Sequence, residues 1–134
     1  MTQAPDDPFD LARFLTAQDG GVYEQALGEL RAGCKRSHWM WFILPQHEAL
    51  GRSPMAKHYG LSGTSEAAAY AAHPVLGPRL RACVAAVREQ LAAGRSATQL
   101  LGEVDAMKFG SCLAIFANAV PGDPLFTPID ERPE

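Results

Sequence analysis

The stretch GEVDAMKFGSC, residues 102 to 112, places a carboxylate and an ammonium group three residues apart. In a helix, Asp105, Lys108 and Cys112 would share one face, with Ser111 beside them. The surrounding residues are apolar, so these charges would lie near a seam where they need each other or a ligand. Either they form a structural ion pair, or Asp105 acts as a base or hydroxyl-binding group and Lys108 binds an anion.

A second candidate is KRSHWMWFILPQ, residues 35 to 46, where two indoles follow a basic cluster. Aromatic planes can stack on a base or sugar, and Lys35, Arg36 and His38 could hold a phosphate. The alternative is that both Trp side chains anchor the core, with each indole N–H bonded to a carbonyl group and His38 capping a helix end. We interpret the stretch as serving both purposes.

In this interpretation the stretch divides into a core part and a polar part. The core part consists of Trp41, Phe42 and Leu44, and the polar lip of a cleft consists of Arg36, Ser37 and His38. Gln46 follows Pro45 where the chain leaves the apolar run, so its amide can either recognise a ligand or fix a loop.

Residues near the start of the longest predicted helix offer weaker candidates. His73 precedes Pro74 and is expected to cap that helix, with a role in a site as the alternative. Arg79 and Arg81 could add to an anion site beside the free N–H groups of the helix. They could equally be surface arginines whose stems cover apolar area.

The predicted site therefore combines the two distinctive segments, and a small anionic ligand such as a nucleotide or sugar phosphate would bind where they meet. In a hydrolytic version, Asp105 or His38 would act as the general base, with Lys108 and Arg36 stabilising negative charge. The alternative function is a non-catalytic protein-interaction module. The candidate catalytic residues are Asp105 and His38, and the candidate ligand-binding residues are Lys108, Arg36, Ser37, Trp39, Gln46 and Ser111.

Several classes of site find no support in the sequence. There is no GxGxxG, GxxxxGK[ST], HExxH or GxSxG motif, so dinucleotide folds, P-loop NTPases, zincins and α/β-hydrolases are not indicated. The three cysteines, Cys34, Cys83 and Cys112, lack metal-ligand spacing and are expected to be buried as small apolar residues. We expect no metal and no cofactor.

Composition predicts one globular domain over residues 1 to 134, with loose tails at 1–8 and 127–134. Hydrophobic residues make up 47% and charged residues 20% of the chain, unlike a disordered protein. The longest apolar run, WMWFIL, is too short to span a bilayer, and the acidic N-terminus lacks a signal pattern. We expect a cytoplasmic protein without membrane contact, as a monomer or weak homo-oligomer.

The net charge of −3 conceals an uneven distribution. Residues 31 to 95 carry a local balance of +6, and the remainder carries −9. The basic middle either binds an anion or forms a solvated basic surface between acidic tails. Nucleic-acid binding is not expected, because the pI near 5.8 is far below the basic range typical of such proteins.

Apolar periodicity predicts an all-α fold of about five to seven helices with no substantial sheet. Helices are predicted near 9–18, capped by Asp10, and from Tyr23 to Cys34, with a short one ending near Ile43. Further helices follow at EAAAYAAH, from Pro74 or Pro78 to Gly94, and from Val104 to Asn118. One turn is expected at Pro54 to His58, and SATQLLG is expected to be a turn.

These segments resemble the domain-of-unknown-function 1810 family from about Phe9 to Phe126. The similarity lies in a basic-Ser-His-Trp-Met-Trp-Phe run ending in Pro-Gln, a Tyr-x-x-His-Pro-x-Leu-Gly-x-Arg-Leu segment and a Gly-x-x-Asp-x-x-Lys-x-x-Ser segment. The resemblance implies a small, mostly helical, cytoplasmic bacterial domain. The family has no assigned reaction.

The end of the chain departs from that family pattern. The family usually continues past the equivalent of Leu125 and Phe126 into a further helix and a closing Asp-x-x-Thr segment, whereas IDERPE stands last here. We expect either a shortened member or a truncated chain, in which any contribution of that segment to a pocket would be affected.

Overall fold

The computed structural model describes residues 7–128, which form eight α-helices, five of them with seven or more residues. Between residues 7 and 128 there is no β-strand, so the predicted all-α class is confirmed. Short 3₁₀ turns occur at Glu48–Leu50 and Pro124–Phe126. The helices are α1 (Ala12–Gln18), α2 (Val22–Ala32), α3 (Met40–Ile43), α4 (Pro54–His58), α5 (Thr64–Ala72), α6 (Leu76–Ala92), α7 (Ala97–Leu101) and α8 (Glu103–Ala119).

Helix α7 was expected to be a turn, and the structure corrects that expectation. Ser96 accepts a hydrogen bond from the backbone N–H of Gln99, and the Gln99 side chain accepts one from the N–H of Ser96. This reciprocal capping box satisfies two N–H groups at the start of the helix. This cap stabilises α7, which has only five residues and is followed directly by Gly102.

The predicted cap of α1 is also wrong. Asp10 adopts a left-handed backbone with φ of 54°, and Asp7 supplies the capping carboxylate instead. The Asp7 carboxylate accepts hydrogen bonds from the N–H groups of Leu11 and Ala12, at 2.7 and 2.9 Å. The free N–H groups at the start of α1 are thereby satisfied from one turn upstream.

A row of aromatic rings runs through the core and joins the first helix to the last described turn. Phe14 packs edge-on against Tyr70 with ring centres 4.9 Å apart, and Tyr70 lies 5.6 Å from Phe116. Phe116 stacks on Phe126 at 5.5 Å. Since these rings are fully buried, they fix α1, α5 and α8 against one another.

Polar groups inside this core are paired. The Gln18 amide donates to the carbonyl oxygen of Phe42 at 2.8 Å and to the Tyr70 hydroxyl at 3.1 Å. The Arg79 guanidinium donates a hydrogen bond to the side-chain oxygen of Gln18 and lies 4.8 Å from the centre of the Tyr23 ring. Arg79 is therefore engaged in the fold instead of facing an open anion site.

The junction between α5 and α6 is tightly packed. His73 accepts hydrogen bonds from the N–H groups of Val75 and Leu76, which confirms its predicted capping role. Arg81 donates to the carbonyl oxygen of Ala71 at 2.8 Å. A methyl group added at Gly77 would lie 2.2 Å from that same oxygen. Glycine is therefore required for α6 to approach α5 this closely.

The segment from His47 to Gly60 forms a loop whose ends are joined. The Leu61 N–H donates to the Gln46 carbonyl, and the Glu48 N–H donates to the Leu61 carbonyl, both at 2.8 Å. Arg13 ties the base of this loop to α1 through the carbonyls of His58 and Gly60. The Arg13 guanidinium also pairs with the buried Glu66 carboxylate at 2.9 Å.

The cysteines follow the expectation in two positions of three. Cys83 and Cys112 are fully buried, whereas Cys34 is exposed, so its predicted burial is wrong. Burial raises the pKa of the Cys83 thiol to about 12 and raises the pKa of Cys112 as well. Both therefore remain neutral thiols that pack as small apolar groups.

The two predicted loose tails fall mostly outside the described residues, which leave out 1–6 and 129–134. At their edges, Asp7 caps α1, and the Thr127 carbonyl accepts a hydrogen bond from Arg88 at 2.7 Å. Across residues 7–128, no helix combines the length and the apolar character that crossing a membrane requires.

Candidate functional site

The loop between α2 and α3 is held by one carboxylate, that of Glu29. One oxygen of Glu29 accepts hydrogen bonds from the backbone N–H of Arg36 and of Ser37, at 2.8 and 3.0 Å, and from the Trp39 indole N–H at 2.9 Å. The other oxygen accepts bonds from the Ser37 hydroxyl at 2.6 Å and the Gln25 amide at 3.1 Å. Glu29 therefore sets the conformation of residues 36–39.

These contacts change the acidity of Glu29. Desolvation by burial alone would raise its pKa, but the hydrogen bonds from Ser37, Arg36, Trp39 and Gln25 outweigh burial and lower the pKa to about 2, from an ordinary value of 4.5. A carboxylate that accepts several hydrogen bonds favours its charged form. In the folded protein the loop is consequently held by an ionised group at every pH well above 2.

The two tryptophans occupy the opposite positions from those expected. Trp39 is only 1% exposed, with its indole N–H bonded to a carboxylate instead of a carbonyl. Trp41, expected in the core, is only partly buried. Its ring lies 5.7 Å from the Lys108 ammonium and 6.4 Å from the His38 ring. Trp41 is therefore the indole beside the candidate site.

Asp105 lies between two ammonium groups. One oxygen contacts the Lys35 ammonium at 3.0 Å, and the other lies 3.8 Å from the Lys108 ammonium. The Lys35 side chain is 9% exposed and the Lys108 side chain 26%. The shorter contact joins α8 to the loop after α2, so the structural ion pair is formed with Lys35, and Lys108 is held more loosely.

A shallow groove borders Lys108 on the outer side of α8, with a volume of about 280 Å³. Val104, Met107, Lys108 and Ser111 recur at i, i+3, i+4 and i+7, so one helix face forms one wall of it. The opposite wall comes from the loop 46–61. The residues that line it, here called the Lys108 groove, are Gln46, Leu50, Val104, Met107, Lys108 and Ser111.

Gln46 and Lys108 also border a smaller opening that leads towards Trp41. Its inner space is about 10 Å³, roughly enough for one water molecule. Met40, Leu44, Tyr59 and Gly60 contribute to its walls. The Lys108 groove therefore has a small aromatic and apolar recess beside it.

The structure separates the predicted site residues into three places. Gln46, Lys108 and Ser111 meet in the Lys108 groove, with Asp105 next to them. Ser37 and Trp39 are bound to Glu29. The side chains of Arg36 and His38 are exposed, and His38 approaches the groove only through Trp41.

Reasoning from the sequence missed Glu29 and Leu50. Glu29 had a weak signal, because it is one of two acids on an amphipathic helix and lies shortly before a basic loop. Leu50 lies in a segment broken by glycine and proline, where periodicity does not show orientation. Over residues 7–128, no group of three or more His, Cys, Asp or Glu side chains is arranged to hold a metal ion.

Comparison with known proteins decides the family. Residues 8–132 match the family model described as "Protein of unknown function (DUF1810)". The chain belongs to this family. The DUF1810 description assigns no activity, and no curated protein matches the chain. The resemblance carried by the three sequence segments is thereby confirmed.

One solved structure shares both the DUF1810 chain's fold and much of its sequence. It is the crystal structure of the conserved hypothetical protein Rv1873 from Mycobacterium tuberculosis, with 47% sequence identity and a TM-score of 0.85. The match covers 90% of this chain and 84% of that chain. The similarity supports the helical architecture.

Proposed function

We propose that the protein binds a small anionic ligand, such as a nucleotide or a sugar phosphate, in the Lys108 groove. The observation that carries the proposal is the incomplete pairing of Lys108. Asp105 makes its short contact with Lys35, at 3.0 Å against 3.8 Å for Lys108. Two ammonium groups share one carboxylate, so this cluster has a local charge of about +1. An anion would supply the missing partner.

Neighbouring side chains add hydrogen-bond donors to the positive charge. Among residues 7–128, the Gln46 side-chain amide has no hydrogen-bond partner, although it lines the groove. Within the described part of the chain, the Ser111 hydroxyl makes a single, long hydrogen bond of 3.4 Å, to the Met107 carbonyl. An ammonium, an amide and a hydroxyl can together satisfy several oxygens of a phosphate or carboxylate group.

The contacts favour binding over hydrolysis by Asp105. Both of its oxygens already face ammonium groups, so its plainest role is to position Lys35 and Lys108. His38 remains the candidate base for a hydrolytic version, in which Arg36 would also approach the ligand. The His38 and Arg36 side chains are exposed and do not line the groove. Either side chain could therefore reach a ligand only if the ligand extends out of the groove, past Trp41.

Lys108→Met is expected to weaken phosphate and nucleotide binding by at least tenfold. The free energy of unfolding should change by less than about 1 kcal/mol, because a partly exposed ion pair contributes little to stability. Calorimetric titration measures the affinity, and urea denaturation measures the stability. Lys57→Met is the matched control, because Lys57 is exposed on α4 and outside the groove. Equal losses in both variants would indicate non-specific charge attraction and contradict the proposal.

A second candidate is the non-catalytic protein-interaction module. The supporting observation is that large apolar side chains stand exposed around the groove: Leu50 is 56%, Val104 64% and Met107 73% exposed. Exposed apolar patches are common at protein interfaces. A well-folded protein whose melting temperature no nucleotide, sugar phosphate or inorganic phosphate raises would favour this candidate over the first.

A further inference from the structure

We infer that the ligand is an amphiphilic anion, with its charged group at Lys108 and an apolar body along Met107, Val104 and Leu50. The inference rests on the proposed function, because it assumes that the groove binds an anion. It adds the chemical class of the part of the ligand that lies outside the charged group. Among small anions it favours a phosphate or carboxylate with an alkyl or comparable apolar body over a sugar phosphate.

The apolar side chains and the donors occupy one continuous surface. On α8, Val104 and Met107 precede Lys108 and Ser111 on the same helix face. Leu50 faces them from the loop across the groove. Met107 and Val104 are the two most exposed large apolar residues among those described, at 73% and 64%. A ligand that covered them would remove apolar area from water.

The charges around the groove specify the sign of the ligand's polar end. Lys108 is the one charged side chain among the six that line the groove, and Asp105 is already paired with Lys35. The volume of about 280 Å³ lies just below the range of roughly 300–1,000 Å³ typical of small-molecule pockets. Together these features fit a compact anion with a short apolar chain.

A series of alkyl phosphates tests the inference on the full chain. Calorimetric titration would compare inorganic phosphate, butyl phosphate and octyl phosphate, each below the concentration at which it forms micelles. Burying one methylene group is worth up to about fourfold in affinity. Because the groove is open, we expect octyl phosphate to bind about ten- to thirtyfold more tightly than butyl phosphate, well below the limit for full burial.

Variants assign this gain to the groove. Met107→Ser should reduce the ratio of octyl to butyl affinity to below about threefold. Met55→Ser should leave the ratio unchanged, because Met55 is also exposed but does not line the groove. Lys108→Met should weaken the binding of all three phosphates. Octyltrimethylammonium, which has the same chain and the opposite charge, should not bind.

The outcomes separate the two proposals. If the three phosphates bind with equal affinity and depend on Lys108, anion binding stands and the amphiphilic class is overturned. If phosphate binding does not depend on Lys108, the proposed function fails as well. A chain-length effect that persists in Met107→Ser, or equal binding of octyltrimethylammonium, would mean non-specific detergent-like adsorption and would also overturn the inference.

Discussion

Gly77→Ala is expected to lower the free energy of unfolding by about 3 kcal/mol or more. The new methyl group would lie 2.2 Å from the carbonyl oxygen of Ala71, which is backbone and cannot rotate away. Relief of this contact requires α6 to move from α5. Such a movement would also disturb the Arg81 hydrogen bond to the same oxygen and the His73 cap. Urea denaturation followed by circular dichroism measures the change.

Gly28→Ala is the matched control for this prediction. Gly28 lies inside α2, and a methyl group added there meets no atom within 4 Å. Replacing an exposed helical glycine by alanine reduces the entropy of the unfolded chain, so a gain of about 0.5–1 kcal/mol is expected. The two glycines should therefore respond with opposite signs. A Gly77→Ala protein as stable as the unsubstituted chain would show that α5 and α6 pack less closely than described.

Glu29→Ala is expected to destabilise the protein by about 3 kcal/mol at pH 7, because it leaves the buried indole N–H of Trp39 without a partner. Glu29→Gln keeps one acceptor and should cost about 1–2 kcal/mol. The lowered pKa of Glu29 alone would correspond to a larger stability loss for Glu29→Gln than this. Because the carboxylate is partly exposed, solvent screening reduces its contribution to the free energy of unfolding. Trp fluorescence would follow both unfolding and the environment of the loop.

The pH dependence of Glu29→Gln gives an independent check. The folded-state pKa is lowered to about 2, from an ordinary value of 4.5. The carboxylate therefore contributes its stability fully above about pH 4.5 and loses it as the pH falls towards 2. The difference in unfolding free energy between the original protein and Glu29→Gln should shrink over that window. Glu24→Gln, an exposed position on the same helix, should show no such trend. A pH-independent difference at Glu29 would contradict the carboxylate's role.

Helices of three or more turns were predictable because their signals are local. The apolar stripe of α6 and the glycine after its end place that helix almost where the structure has it. The Ser96 and Gln99 pair at the start of α7 was also a local signal, but five residues are too few for periodicity to register. At α1, Asp7 and Asp10 could each serve as the cap, and the backbone geometry selects Asp7.

The site was predictable in part. The shared face of Lys108 and Ser111 follows from helical spacing alone. The roles of Trp39 and Trp41 do not, because a helix of four residues has no periodicity from which to derive an inward face. The bond between Glu29 and Trp39 spans ten residues across a helix end and depends on how the chain reverses there. Likewise, Leu50 reaches the groove only because Gln46, Glu48 and Leu61 close its loop.

The two walls of the Lys108 groove differ in how far their sequences can change, because one wall is a closed loop and the other is a helix. Backbone hydrogen bonds between Leu61 and the residues Gln46 and Glu48 hold the ends of the loop together independently of the residues between them. Lengthening a loop whose ends are already joined costs little entropy. The wall formed by α8 is the outer face of a helix whose other face lies in the core, whereas residues 49–53 precede α4 and belong to no α-helix. If the proposed function holds, differences in ligand preference are therefore expected to arise in the loop wall while Lys108 stays in place.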